Sequence, residues 1–144
     1  MISVLKIRTM RDEPGGPGLT AHHDPRVTHL GRLLRRYRID ELPQLVNVVR
    51  GDMSLVGPRP EDPRYVDLSD PLHRRVFTAK PGITGPAQLR FRDEARLLTG
   101  TDVERRYRDE ILPAKLLLDA DYLATRSTVG DLRIIAETVG AIAR

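Results

Sequence analysis

Two neighbouring carboxylates, Asp40 and Glu41, sit in the run Arg38-Ile39-Asp40-Glu41-Leu42-Pro43-Gln44-Leu45. Together they have the residue types that covalent or metal-assisted chemistry on an anion needs. An aspartate titrates ordinarily near ~3.9, so it is charged at neutral pH without a large shift and can serve as a nucleophile. Two carboxylates side by side repel each other and any incoming phosphate. A hard divalent cation such as Mg²⁺, bound by one or two carboxylates plus substrate phosphates, removes that repulsion. An Asp-Glu pair at a helix start is equally what an ordinary cap with a favourable dipole contact looks like, and these eight residues alone do not choose.

The elements that position the pair follow from spacing. Leu42, Leu45, Val46 and Val49 recur at helical intervals and Gly51 stands where a C′ glycine would end the run. Pro43 suits a first turn, so Asp40 is expected at or beside an N-cap, where free N–H groups also favour a phosphate. Upstream, 27–37 reads as an amphipathic helix with Leu30, Leu33 and Leu34 on one side and Arg26, Arg32, Arg35, Arg36 and Arg38 on the other. Such a helix can lie on an anionic membrane surface, or simply present a solvated face. Downstream, Pro58 and Pro60 stiffen the backbone on both sides of Arg59, which suits a phosphate clamp.

The remaining chain reads as a strand over 2–10, a Gly/Pro loop over 11–24, and a short helix opened by Asp70-Pro71 and running through Phe77. A second rigid turn follows over Lys80–Pro86, then a strand over Ala87–Phe91. A charged helix starts at Gly100-Thr101-Asp102 and runs through Ile111. Pro113 restarts it as 114–126, and Ser127-Thr128 with Gly130-Asp131 break before a last helix through Ile142. The loop glycines form neither G-x-G-x-x-G nor a Walker A pattern. His22-His23-Asp24 has no matching distant ligand pair and reads as solvated rather than metal-binding. Leu116-Leu117-Leu118-Asp119-Ala120-Asp121 mimics a strand-ending D-x-D motif but falls inside a helical pattern.

At 144 residues the chain reads as one domain over 1–144. Hydrophobic residues are 40% but aromatics only 4%, so Leu, Val, Ile and Ala are expected to build the core. The absence of Cys excludes disulfides and thiolate sites. A net charge of +4 points to an acidic partner. Against nucleic acid, the basic residues are interspersed with acids, aromatics for stacking are scarce and no recognition motif appears. Only three of the 24 basic residues are lysines, Lys6, Lys80 and Lys115. No stretch is apolar and long enough to span a bilayer.

Six ordered blocks resemble the bacterial sugar transferases, the monotopic polyprenyl-phosphate phosphoglycosyl transferases. They are Lys6-Ile7-Arg8-Thr9-Met10, Asp24-Pro25-Arg26-Val27-Thr28, Leu30-Gly31-Arg32, Asp40 to Leu45, Met53 to Pro60 and Lys80 to Gly85, with Ile111 to Lys115 and Leu118-Asp119…Tyr122 behind them. The resemblance implies an α+β, predominantly helical fold with amphipathic helices around a small β element and Pro-rich rigid loops. It implies transfer of a phosphosugar from a nucleoside-diphosphate sugar, expected to be a UDP-sugar, to polyprenyl phosphate, initiating exopolysaccharide or glycoconjugate synthesis. By that resemblance Asp40 forms an aspartyl-phosphosugar intermediate, Glu41 holds Mg²⁺, Arg59 binds donor phosphate, and Lys6, Arg8, Arg26 and Asp119 support the anionic site. Ile7 stands where the family typically has Phe, and Pro86 where it often has Trp. The family also places a hydrophobic re-entrant helix and a basic link ahead of the Lys6 block, which these residues do not include. The expected location is the cytoplasmic face of the bacterial inner membrane, or the cytoplasm without an anchor. The alternative is an inactive remnant that binds anionic membrane surfaces.

Overall fold

A computed structural model describes residues 2–12, 19–20, 24–98 and 102–142. The predicted Pro/Gly loop, His22-His23 and the Gly100-Thr101 helix start fall largely or wholly outside those residues. Thr28 opens the first helix, α1, His29–Arg36. Its hydroxyl oxygen accepts the Gly31 N–H at 2.9 Å, and Arg35 and Arg36 occupy the last turn, where the helix dipole favours cations. Arg38 then adopts φ 55°, the one left-handed non-glycine residue among those described. This reversal folds Ile39–Glu41 into a single 3₁₀ turn ahead of α2, Gln44–Val49. Gly51, at φ 82°, closes α2 as expected of a C′ glycine. Asp40 is not the cap of that helix. Pro43 occupies the N-cap position, without a side-chain cap bond, so the carboxylate pair owes its setting to the preceding turn.

The predicted strand over 2–10 is extended but joins no sheet among the described residues. Met10 bridges Val27 in an isolated antiparallel pair, and the rest is held by other means. Buried Asn47 accepts the Leu5 N–H at 3.0 Å and donates to the Ser3 carbonyl at 2.9 Å, while the Ile7 N–H reaches the Asp40 carbonyl at 2.9 Å. One amide side chain thus imitates a neighbouring strand. Close to α1, the Thr28 N–H donates to the Thr9 carbonyl at 3.0 Å, and a Cβ on Gly31 would lie 2.2 Å from that oxygen.

The sheet comes from two stretches whose prolines mark them as rigid turns. β1, Ser54–Val56, pairs in parallel with β2, Gly82–Thr84, in the register Ser54↔Gly82 and Val56↔Thr84. Backbones touch here: a Cβ on Gly82 would stand 2.1 Å from the Gly57 nitrogen, and the Gly82 N–H donates to the Pro58 carbonyl at 2.9 Å. That contact anchors the Pro58-Arg59-Pro60 turn. After α3, Pro71–Phe77, capped by Asp70 as the sequence predicts, the structure departs at 87–91. The residues form α4, Pro86–Arg90, with Pro86 in the first helical turn. Ala, Gln, Leu and Arg are all good helix formers, and that local preference overrides the β expectation.

Short helices α5, Glu94–Leu97, and α6, Val103–Arg106, lead into a π-turn over Tyr107–Ile111 and then α7, Leu112–Thr125. Pro113 explains the π-turn. It has no N–H to offer the carbonyl four residues back and its ring crowds that oxygen, so the ladder widens and Leu112 N–H bonds the Tyr107 carbonyl instead. Ser127 caps α8, Thr128–Ile142, and the predicted break at Gly130-Asp131 lies inside that helix.

The apolar core gathers Val76, Leu98, Ile111, Leu112, Leu116 and Ala120 with Tyr65 and Tyr107. The two tyrosine rings meet edge to face at 5.0 Å, so half of the four tyrosines sit in a core expected to be aliphatic. The architecture is α+β and predominantly helical, with amphipathic helices around a small β element. Two helices are inverted, however. α2 buries Gln44 and Asn47 and exposes Leu45, Val46 and, at 89%, Val49; α1 exposes Leu30 and Leu33. Asn47→Ala leaves two backbone groups of the 2–7 segment without their partners and is expected to destabilise the protein by about 1–3 kcal/mol. Chemical denaturation measures the loss, and amide exchange should accelerate first at Leu5 and Ile7.

Candidate active site

Three separate stretches deliver cations to the Asp40–Glu41 pair. The pinned N-terminal segment brings Lys6, whose ammonium lies 3.1 Å from Asp40 and 3.6 Å from Glu41. The left-handed turn brings Arg38, which donates to Glu41 Oε2 at 3.1 Å. The Pro-framed turn brings Arg59, whose two terminal nitrogens both donate to Glu41 Oε1 at 3.3 Å. Both carboxylates are buried, Asp40 to 2% exposure and Glu41 to 5%. Burial pushes the Glu41 carboxyl up, but the fields of Arg59, Arg38 and Lys6 outweigh it and hold the group below the usual glutamate range. An opposite charge at 4 Å is worth about 4 kcal/mol at an effective dielectric near ~20, so three such neighbours can overcome the burial of one carboxylate even after screening. Arg59 is the mirror case: burial lowers its affinity for the proton and Glu41 more than restores it.

Two clefts open beside the pair. The larger, about 720 Å³, runs between α1 and α8, with Arg35, Arg38 and Glu41 on one wall and Leu42, Leu45, Ile83, Leu89 and Ile142 as an apolar lip. The smaller, about 130 Å³, lies between Arg59, Phe91, Glu94 and Lys115. Arg38, Gln88 and Arg92 line both. Buried Gln88 has neither amide atom hydrogen-bonded in the structure.

The other residues singled out in the sequence are distributed differently. Arg8 extends into solvent and pairs with Asp12 at 2.6 Å, and it lines neither cleft. Arg26 grips Asp24 through its terminal nitrogen at 2.7 Å, bracing the loop before α1 rather than the carboxylate pair. Asp119 lies buried on α7, with the backbone N–H groups of Ala87 and Arg59 turned to it and one carboxylate oxygen unpartnered. It underpins the Arg59 turn from below. Asp121 of the apparent D-x-D motif is exposed in mid-helix, as a helical rather than strand-ending context requires.

Lys115, named in the sequence only as one of three lysines and as the end of the Ile111–Lys115 block, was given no place in the site. At 6% exposure its ammonium meets Glu94 at 2.9 Å, Glu61 at 3.4 Å and the Tyr107 hydroxyl at 3.0 Å. A signal was present: in a chain that uses arginine almost throughout, two of its three lysines are at this site, and Lys115 precedes Asp119 by one helical turn.

Burial, only partly offset by Ala87, Lys115 and Arg59, raises the Asp119 carboxyl to about 6. The folded state therefore binds this proton more tightly than the unfolded chain, and the associated stability is present below pH ~4 and lost as pH rises through 6. Asp119→Asn should remove that contribution: the parent's unfolding free energy relative to the variant's is expected to fall as pH rises from about 4 to 6.5 and to level off above it, as urea titrations of both at each pH would show.

Comparison with known proteins supplies independent ground. The chain is 41% identical over 144 residues, 96% of its length and 50% of the relative's, to a UDP-glucose:undecaprenyl-phosphate glucose-1-phosphate transferase of Caulobacter vibrioides. It is 41% identical over 126 residues, 83% of its length and 22% of the relative's, to an undecaprenyl-phosphate glucose phosphotransferase of Komagataeibacter xylinus. It is 38% identical over 148 aligned residues, 96% of its length and 68% of the relative's, to the exopolysaccharide production protein PSS of Rhizobium leguminosarum. The chain thus spans half or less of the length of the first two. The bacterial sugar transferase profile matches residues 1–144 from end to end. With that match and an acidic pair ringed by Lys6, Arg38 and Arg59, the chain belongs to the bacterial sugar transferase family.

Proposed function

We propose that the chain transfers a phosphosugar from a UDP-sugar to polyprenyl phosphate through a covalent intermediate on Asp40. The observation that carries this reading is the buried Asp40–Glu41 pair held among Lys6, Arg38 and Arg59. Relatives named as UDP-glucose and UDP-galactose transferases to lipid carriers support the substrate class. Lys6 caps Asp40 but is itself about a third exposed, so it can swing onto an arriving diphosphate and uncover the carboxylate. An Asp40 oxygen then attacks the β-phosphorus. The new P–O bond forms as the bond to the α-phosphate oxygen breaks, and UMP departs with that electron pair. In the second step an oxygen of the polyprenyl phosphate attacks the same phosphorus, releasing Asp40 as a carboxylate and leaving a diphosphate-linked sugar. Arg59 and Arg38 stabilise the charge on the transferring group.

The residues fit Mg²⁺ as a shared ligand. Two adjacent carboxylates are hard oxygen donors, and no described group of three or more acidic or histidine side chains forms a self-sufficient cage, so Glu41 would hold the ion jointly with donor phosphates. When bound, the ion offsets negative charge on the phosphoryl group.

The exposed Leu30, Leu33, Leu42, Leu45, Val46 and Val49 beside Arg32 and Arg36 favour seating on an anionic membrane surface, where a polyprenyl acceptor lies. We place that surface at the cytoplasmic face of the inner membrane. No helix among the described residues is long and apolar enough to cross a membrane. The same face would serve an inactive, membrane-binding module, and turnover separates the two readings.

With UDP-glucose and Mg²⁺, intact-mass analysis should show one hexose-phosphate adduct, mapped to Asp40, with stoichiometric UMP. Asp40→Asn is expected to lose adduct and UMP by at least ~10³-fold. A folded protein giving neither product would leave only the binding module. Replacing Arg32 and Arg36 by Gln should weaken cosedimentation with anionic vesicles by roughly 30-fold at low salt, at about 1 kcal/mol for each arginine. Unchanged vesicle binding would discard the seating.

A further inference from the structure

Beside Arg59 lies a second charge cluster that no step above uses, built from buried Lys115 and the half-buried Glu61 and Glu94. Glu61 and Glu94 both act on the Arg59 guanidinium, in the same sense as Glu41 does. Lys115 stands over the two glutamates, 3.4 Å and 2.9 Å away, and the Tyr107 hydroxyl, which donates to Glu61 at 2.5 Å, closes the group. The Arg59 contacts to Glu41 are long, at 3.3 Å each, so the guanidinium is not locked there by geometry alone. Two uncompensated carboxylates within Coulomb range would compete for it.

We propose that Lys115 is a positioning residue for Arg59: by neutralising Glu61 and Glu94 it leaves the guanidinium committed to Glu41 and to the donor's diphosphate. This rests on the reading of Arg59 as a donor-phosphate ligand. Lys115 need not touch the nucleotide. Its effect is transmitted by the charge of two glutamates, which distinguishes it from a lysine that binds phosphate directly. The carboxylate closest to it, Glu94, lines the same small cleft as Arg59, so a shift of the guanidinium toward Glu94 is a short one.

The experiment is UDP binding by calorimetry on the full chain and on Lys115→Met, Lys115→Met/Glu94→Gln and Lys115→Arg, each checked for folding by circular dichroism. Lys115→Met is expected to weaken UDP binding roughly tenfold, within the range of couplings in one charge network. The double variant, which removes one charge of each sign, should return to within about threefold of the parent, and Lys115→Arg should match it. Should Lys115→Met fail to fold, Lys115→Gln, which keeps a hydrogen-bonding NH2 without the charge, takes its place. A double variant as weak as the single would show that Lys115 contacts the ligand itself, and a single variant that binds like the parent would show no positioning; either overturns the inference. A folded parent that binds no UDP would instead sink the nucleotide-sugar reading, and this inference with it.

Discussion

One buried carboxylate, that of Glu41, holds the site together. Lys6, Arg38 and Arg59 come from an extended N-terminal segment, a left-handed turn and a proline-framed loop, and Glu41 is where all three converge. A charge so deeply placed is tolerable only while its partners stay, because an uncompensated buried carboxylate costs more than any single pairing returns. The surrounding structure is arranged accordingly. Asn47 fixes the segment that carries Lys6, and the glycine-to-glycine contact of β1 and β2 fixes the loop that carries Arg59.

This arrangement also makes sense of the inverted helices. In an ordinary globular domain α2 would turn its valines and leucines inward. Here Asn47 must face inward to pin the 2–7 backbone and Gln44 is buried with it, so the apolar side of α2 is left outward. Interior polarity and exterior greasiness are thus two results of one requirement.

The sequence disclosed this unevenly. Local chemistry was plain: the Asp70-Pro71 helix start, the C′ role of Gly51 and the break at Ser127 follow from residue types at short range, whereas Arg59, 18 residues from Glu41, was tied to the acidic pair only by the family resemblance. What it hid was long-range. Nothing around 54–56 or 82–84 announces a parallel pair, since each stretch reads as proline-bounded turn, and only mutual approach of their backbones makes them strands. The segment 2–10 has the composition of a strand but finds a side-chain amide where a sheet would be. Lys115 meets Glu61 from 54 residues away and Glu94 from a different helix, so no short window of sequence contains the cluster.

The π-turn at Tyr107–Ile111 has a geometrical consequence for that cluster. On an uninterrupted α-helix, residues eight apart stand about 80° out of line around the axis. The wider turn takes up much of that offset, and the Tyr107 hydroxyl and the Lys115 ammonium meet at 3.0 Å. The spacing between them works like a gear ratio: its tooth count, set by Pro113 in between, decides whether tyrosine and lysine mesh.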